Sequence, residues 1–250
     1  MPKPTGFREA FERALDGISP RAVVIEVTGS TNDDARALGR EGAPHLTVVV
    51  TNEQRAGRGR LGRAWVAPPG TSLLASWVAR PALPVERWPL VPLLAGVAAA
   101  EAIEARTNVA PSLKWPNDLL AGERKLGGIL VEAELPAFVV VGLGVNVGQT
   151  SFPTGLAATS IAMEGGVRLD RADLMAATLA AFQRALEEPE AALDRYRARC
   201  ATLGTTVRVE RTAAEPVQGV ARAIDEIGGL VVEAATGEVT VTAGDVIHLR

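Results

Sequence analysis

With 250 residues, 47% apolar content and a net charge of −3, the chain can bury one large core, with or without a smaller second one. That charge has the wrong sign for a protein whose main surface lies on nucleic-acid phosphates, and the single cysteine, Cys200, excludes a disulfide framework or thiolate metal cluster and fits a reducing compartment. The longest apolar stretch, Trp88 to Ala100, holds two prolines and falls short of the roughly 20 residues of a membrane span; the N-terminal MPKPTGFREAFERALD lacks a secretory hydrophobic run, so no membrane segment and a cytoplasmic location are expected.

In chain order, Phe7 to Asp16 reads as a short helix, Ala22 to Val27 as a strand, and Thr28-Gly29 as the turn into a helix over Ser30 to Gly39, with Ser30 and Asp33 in capping-box spacing. Leu46 to Thr51 follows as a buried strand. Asn52 to Gly70, with Gly57, Gly59, Gly62, Pro68 and Pro69, reads as a long loop of the kind that binds, closes over a site or stays irregular. Thr71 to Val78 is a strand and Pro92 to Ala105 an alanine-rich helix. Leu113 to Trp115, Leu126 to Glu134 and Phe138 to Val147 are strands, the last two joined at Leu135-Pro136. Leu169 to Leu186 and Pro189 to Cys200 are helices. From Thr205 the chain turns to short β segments punctuated by Gly228-Gly229 and Thr236-Gly237, which reads as a separate small barrel. The expected fold class is α+β: a mixed sheet with helices packed on it over 1–203, then a small domain over 204–250.

Two segments carry chemistry. Between Asn52 and Arg63 lie Arg55, Arg58, Arg60 and Arg63, on backbone that glycine lets approach a ligand, which makes an anion clamp. Gly57 to Gly62 satisfies G-x-G-x-x-G. However, it neither follows its strand directly nor opens a helix, so a dinucleotide fingerprint is rejected; a short nucleic-acid patch using Trp65 and a solvated loop remain as alternatives. The second segment runs from Leu113 to Glu132. Lysine is rare here, only Lys3, Lys114 and Lys125 among 26 basic residues, so two lysines around one hairpin suggest sites wanting a compact point charge. Pro116 ends the first strand and puts Asn117 and Asp118 in a turn; Gly127-Gly128 marks either a bulge or a place where another molecule meets backbone.

Ser30-Thr31-Asn32, Gly57-Arg58-Gly59-Arg60, Lys114-Trp115-Pro116-Asn117-Asp118, Lys125-Leu126-Gly127-Gly128-Ile129-Leu130-Val131-Glu132 and Gly142-Leu143-Gly144-Val145-Asn146-Val147, in that order, resemble the biotin protein ligases. The tail, with Gly219-Val220-Ala221 and Ile224 to Leu230, is similar to that family's small C-terminal domain. The resemblance implies a catalytic domain like that of class II aminoacyl-tRNA synthetases followed by an SH3-like barrel. It implies a ligase that joins biotin to AMP, releases pyrophosphate and passes biotin to a lysine of a biotin carboxyl carrier domain, as a monomer or homodimer. Some members carry an N-terminal DNA-binding module; only about twenty residues precede the first strand here, too few for one, so no DNA partner is expected.

By the same resemblance Ser30, Thr31 and Gln54 hydrogen-bond the ureido ring, with Asn32 beside them. Gly57, Arg58 and Gly128 border the acyl chain. Trp65 stacks on adenine, with Arg63, Asn117 and Asn146 completing the nucleotide site. Arg60 and Lys125 act on both substrates, neutralising carboxylate and α-phosphate, and Mg²⁺ arrives on the phosphates. Asp118 is the candidate carboxylate for the acceptor amine, with a magnesium or turn role as alternatives. Ser30 to Asp33 serves equally as a plain cap. A lipoate or octanoyl ligase or transferase is the nearest rival, although the transferases' cysteine has no counterpart in the main domain; a non-catalytic nucleotide- or RNA-binding module is the rival from another class. His45, His248 and Cys200 read as structural.

Overall fold

Seven strands between residues 22 and 146 form one mixed sheet, and its two faces carry different residues. In this computed structural model, which describes residues 6–167, 169–211 and 214–249, the elements are α1 (Phe7–Leu15), β1 (Ala22–Thr28), α2 (Thr31–Arg40), β2 (Val48–Gln54), β3 (Ser72–Ala79), α3 (Val91–Glu104), β4 (Ser112–Lys114), β5 (Asp118–Ala121), β6 (Arg124–Glu134) and β7 (Phe138–Asn146). They are followed by α4 (Arg171–Glu187), α5 (Pro189–Arg199), β8 (Thr206–Arg211), β9 (Ala214–Ile224), β10 (Leu230–Ala234), β11 (Gly237–Val241) and β12 (Asp245–His248). The large sheet runs β1-β2-β3-β7-β6-β5-β4, with β1 and β2 parallel and every other pair antiparallel.

Because side chains alternate across a strand, parity decides what each face can do. Odd-numbered Leu73, Ala75 and Trp77 of β3 and Val139, Val141, Leu143 and Val145 of β7 enter the main core with α1, α3, α4 and α5. On the opposite face, the ends of these strands nearest α2 carry Val49, Val78 and Val140, which pack with Ala35 and Phe138 into a second, smaller core. Further along, that same face turns small and polar: Ser76 on β3, Gly142, Gly144 and Asn146 on β7, Gly128 on β6. The register places Gly142 opposite both Ser76 and Leu130, and Gly144 opposite Gly128. With no bulky side chain there, the sheet leaves open space, and residues 55–71 pass over it.

The C-terminal strands form an antiparallel sheet ordered β11-β10-β9-β8-β12. Buried Trp115 ties it to the hairpin, donating Nε1–H to the Gly228 carbonyl at 2.9 Å while its own backbone N–H reaches Thr202 Oγ1 at 3.0 Å. Arg197 adds two bonds to the Ile224 carbonyl.

Several expectations change. The capping box is absent: Ser30 stands at the N-cap of α2 but its hydroxyl makes no cap hydrogen bond, and the Asp33 carboxylate bonds Arg58 and Arg36 instead of reaching back to the Ser30 N–H. β2 continues through Gln54, since parallel pairing with β1 reaches Thr28 opposite Gln54, so the loop is three residues shorter at its start. It is not wholly irregular either, as Arg60–Gly62 make one tight turn through left-handed backbone at Leu61 and Gly62. Asp118 is not a turn residue but the first residue of β5, a strand the sequence reading lacked; its four residues are held by pairing with β4 and β6 on either side. The expected irregularity near Gly127 is present: Leu120 pairs with Lys125 but Leu119 with Gly127, leaving Leu126 as the extra residue of a bulge.

Candidate active site

The open stretch of sheet, roofed by residues 55–71, is a cavity of about 390 Å³. A drug-sized molecule occupies a site of this order. The residues the resemblance assigned to a ligand line it except Gly57, which packs within the loop against the Trp65 carbonyl; of the charges singled out by composition, Arg55 and Lys114 do not line it, and Arg55 lies exposed beside Glu53.

Three cations of the loop enter it, each held differently. Arg58 forms two bonds to Asp33, 2.6 and 2.7 Å, which hold the Asp33 carboxyl below its ordinary range. Arg60 reaches the Asn117 side chain at 3.3 Å and the Gly244 carbonyl at 3.1 Å, and burial lowers its pKa from the usual arginine value; arginine starts so high that it stays charged at neutral pH. Arg63 pairs with Asp245 at the start of β12, and that bond raises its pKa. The fourth cation comes from the opposite wall: Lys125 Nζ lies 2.7 Å from Asp118 Oδ1 and over the Trp65 ring, 5.7 Å from its centroid. Arg60 and Lys125 therefore bond to adjacent residues, Asn117 and Asp118, of one hairpin. Asn117 is itself fixed, its Nδ2 donating to the Ile129 carbonyl at 2.8 Å.

Trp65 lies against the β7 backbone where Gly144 has no side chain; a Cβ at Gly144 would come within 2.6 Å of the indole. Its Nε1–H is buried without a protein partner among the described residues. Asn146 is committed to the protein, donating to the Thr159 carbonyl at 3.0 Å, so it braces residues 156–160 along the cavity rim.

At the end nearest α2 the lining is neutral and polar. Gln54 Oε1 accepts the Thr31 backbone N–H at 2.9 Å; Thr31, Ser76 and Asn32 are linked through their side chains, and Asn32 Nδ2 donates to Glu132 Oε2 at 2.6 Å. Sequence reasoning missed Ser76, Glu132 and Asp245. Ser76 sits in a largely apolar strand and Asp245 lies far along the chain from the rest of the site, whose nearest lining residue in sequence is Ala158. Two serines four residues apart on one face of β3, Ser72 and Ser76, were the available signal for the first; nothing local marked the second. The C-terminal sheet is consequently not separate from the chemistry, since its Gly244 and Asp245 hold two of the loop arginines.

Among the described residues no three His, Cys, Asp or Glu side chains gather to hold a metal ion, and none of the helices is long and apolar enough to cross a membrane. Cys200 is buried, which pushes its thiol pKa up, and it does not line the cavity.

Residues 24–146 match the model of the Biotin/lipoate A/B protein ligase family, and 202–249 that of the Biotin protein ligase C terminal domain. A biotin--[acetyl-CoA-carboxylase] ligase of Mycobacterium tuberculosis is 39% identical, covering 91% of this chain and 88% of that one. One from Paracoccus denitrificans is 32% identical over 88% of this chain and 97% of its own. Among solved structures, the biotin protein ligase of Aquifex aeolicus in complex with biotin and ATP superposes with a TM-score of 0.78 at 25% identity, covering 92% of this chain and 99% of that one.

Proposed function

The chain belongs to the Biotin/lipoate A/B protein ligase family, and on that premise we propose that it is a biotin protein ligase. It joins biotin to ATP as biotinyl-5'-AMP and passes the biotinyl group to a lysine of a carboxyl carrier domain. One observation carries the reading: Arg60 from the loop and Lys125 from the hairpin enter one cavity and bond to neighbouring residues there.

The chemistry needs that arrangement. In the first step a biotin carboxylate oxygen attacks the α-phosphorus and pyrophosphate leaves, so an anion must approach an anion. Cations fixed on both walls neutralise the charge as it concentrates in the transition state, with no reorganisation at that moment. Biotin's ureido ring takes the neutral polar end at Ser30, Thr31 and Gln54, which points its carboxylate along Gly128 toward Lys125. Trp65, Arg63, Asn117 and Asn146 border the space for the nucleotide. Magnesium comes with the ATP phosphates, as it usually does.

In the second step the acceptor amine, once its ammonium proton has left, attacks the acyl carbon, AMP departs with the bonding electrons, and the nitrogen sheds its second proton. A free lysine amine has a pKa of about 10.4, so it arrives protonated. Asp118, 2.7 Å from Lys125, is the carboxylate in place to orient that amine and accept the proton.

Pyrophosphate release measured with ATP plus biotin, against ATP plus lipoate, tests the assignment. Release with biotin alone supports it, followed by the mass of one biotinyl group on a carrier domain. Turnover of lipoate only, or salt-sensitive RNA binding without pyrophosphate release, removes it.

A further inference from the structure

The polar end of the cavity has a direction built into it. Glu132 lies behind Asn32, away from the cavity lining, and Arg36 holds its other oxygen at 2.6 Å; Arg36 is itself pinned by Asp33 and Glu134. An ionised carboxylate only accepts hydrogen bonds. The Asn32 atom 2.6 Å from Glu132 must therefore be the amide NH₂, a choice reinforced by the Leu130 carbonyl at 3.4 Å. The amide oxygen then faces Ser76 Oγ at 2.6 Å and has to be given a proton, so Ser76 donates to Asn32.

A hydroxyl has one proton. With that of Ser76 spent, its 2.7 Å contact with Thr31 Oγ1 is bonded only if Thr31 donates. Thr31 Oγ1 also lies 3.1 Å from Gln54 Oε1, but one proton cannot serve both, and leaving two oxygens bare at 2.7 Å costs more than at 3.1 Å. Gln54 Oε1 is occupied by the Thr31 backbone N–H at 2.9 Å, which leaves the Gln54 NH₂ as a donor. The ends of the chain thus show a ligand one acceptor, the Thr31 hydroxyl oxygen, and beside it one donor.

We propose that Glu132, clamped by Arg36, is a positioning residue. It orders the relay of protons from Thr31 through Ser76 and Asn32 so that the Thr31 hydroxyl can only accept, which selects a ligand offering N–H next to C=O, as a cyclic urea does. This rests on the biotin reading above and adds to it the residue that sets the polarity of the ring site.

Glu132→Gln tests the relay. The replacement amide must turn its oxygen to Arg36 and its NH₂ to Asn32; the Asn32 amide flips, Ser76 donates to Thr31, and the Thr31 proton, released from Ser76, is shared between Gln54 Oε1 at 3.1 Å and the ligand, so the hydroxyl is no longer a fixed acceptor. In the pyrophosphate-release assay KM for biotin rises about tenfold or more, the cost of one unmet buried hydrogen bond, while kcat and KM for ATP stay within about twofold, because the reacting atoms lie at the other end of the cavity. The preference for biotin over its cyclic carbamate analogues, ring oxygen in place of either N–H, narrows for one of the two. Ser76→Ala breaks the relay midway and serves if Glu132→Gln does not fold. Adding Glu132→Gln to it changes KM no further, because Glu132 is then disconnected from Thr31.

An unchanged KM with unchanged analogue preference overturns the proposal, as does an equal fall in kcat for every substrate, which is what a merely structural role produces. Failure of the biotin reading itself is visible separately, in the unmodified protein, as absence of biotin-dependent pyrophosphate release.

Discussion

Replacing Gly142 by alanine isolates the packing that places Asn32. The Cβ it adds falls inside the Asn32 amide, with Cγ 3.0 Å and Nδ2 3.2 Å away, and Asn32 is 5% exposed and bonded on both sides. Two responses are open. Asn32 can rotate away, losing its bond to ionised Glu132, about 1.5–3 kcal/mol, and its bond to Ser76, about 1 kcal/mol. Alternatively α2 and β7 can separate, an overpacking strain of about 1–3 kcal/mol. The chain takes the cheaper route, so about 1–3 kcal/mol of stability is lost, a fall of roughly 2–4 °C in Tm per kcal/mol for a chain of this size. The sign is diagnostic, because glycine inside a strand ordinarily costs about 0.5–1 kcal/mol relative to alanine. Without the contact the substitution stabilises. Urea unfolding followed by circular dichroism measures it, and a stabilised Gly142→Ala protein with unaltered KM for biotin refutes the reasoning.

Lys125→Ala should lower the rate of adenylate formation by about 10²–10³ while shifting stability by no more than about 1 kcal/mol, since its ion pair with Asp118 is partly exposed; single-turnover pyrophosphate release and urea unfolding check both. Asp245→Ala frees Arg63 and loosens the loop over the cavity, so trypsin should cut between Arg55 and Arg63 faster, and biotin plus ATP should restore resistance. His45 receives the Arg80 backbone N–H on Nδ1 at 2.9 Å and faces Gln183 through Nε2 at 3.0 Å, so the fold holds it neutral and burial lowers its pKa. Its contribution is full above the ordinary histidine pKa of about 6.5 and is lost as pH falls through the lowered value. Tm should therefore drop with pH across that window, and less so in His45→Gln. Buried Cys200 should react with a thiol reagent only after unfolding.

What was legible in the sequence was whatever needed only local rules. The Arg-Gly run, the two lysines around a hairpin and the glycines of β6 and β7 announce themselves by composition, and Arg58, Arg60, Arg63, Lys125, Gly128, Gly142 and Gly144 meet in one cavity, while Arg55 and Lys114 do not reach it. What depends on a partner elsewhere in the chain was not legible. Ser30 looked like a cap because its spacing to Asp33 fits one, but Asp33 is taken by Arg58 from across the cavity entrance. Residues 52–54 looked like loop because Asn, Glu and Gln are poor strand formers, yet pairing with β1 overrides that propensity. Asp118 to Ala121 is too short to show period-two alternation and is a strand only because β4 and β6 flank it. Glu132 read as one letter of a motif, and its connection to Thr31 through two other side chains exists only once β3, β6 and α2 are assembled.

The central claim is that cations from the two walls converge on the point where carboxylate meets phosphate, and a crystal structure of the protein with biotinyl-5'-AMP tests it most directly. The account predicts the Arg60 guanidinium and the Lys125 ammonium both within hydrogen-bonding distance, about 3 Å, of the oxygens around the acyl-phosphate link. An adenylate bound with either group more than about 6 Å away, beyond direct charge pairing, would contradict it.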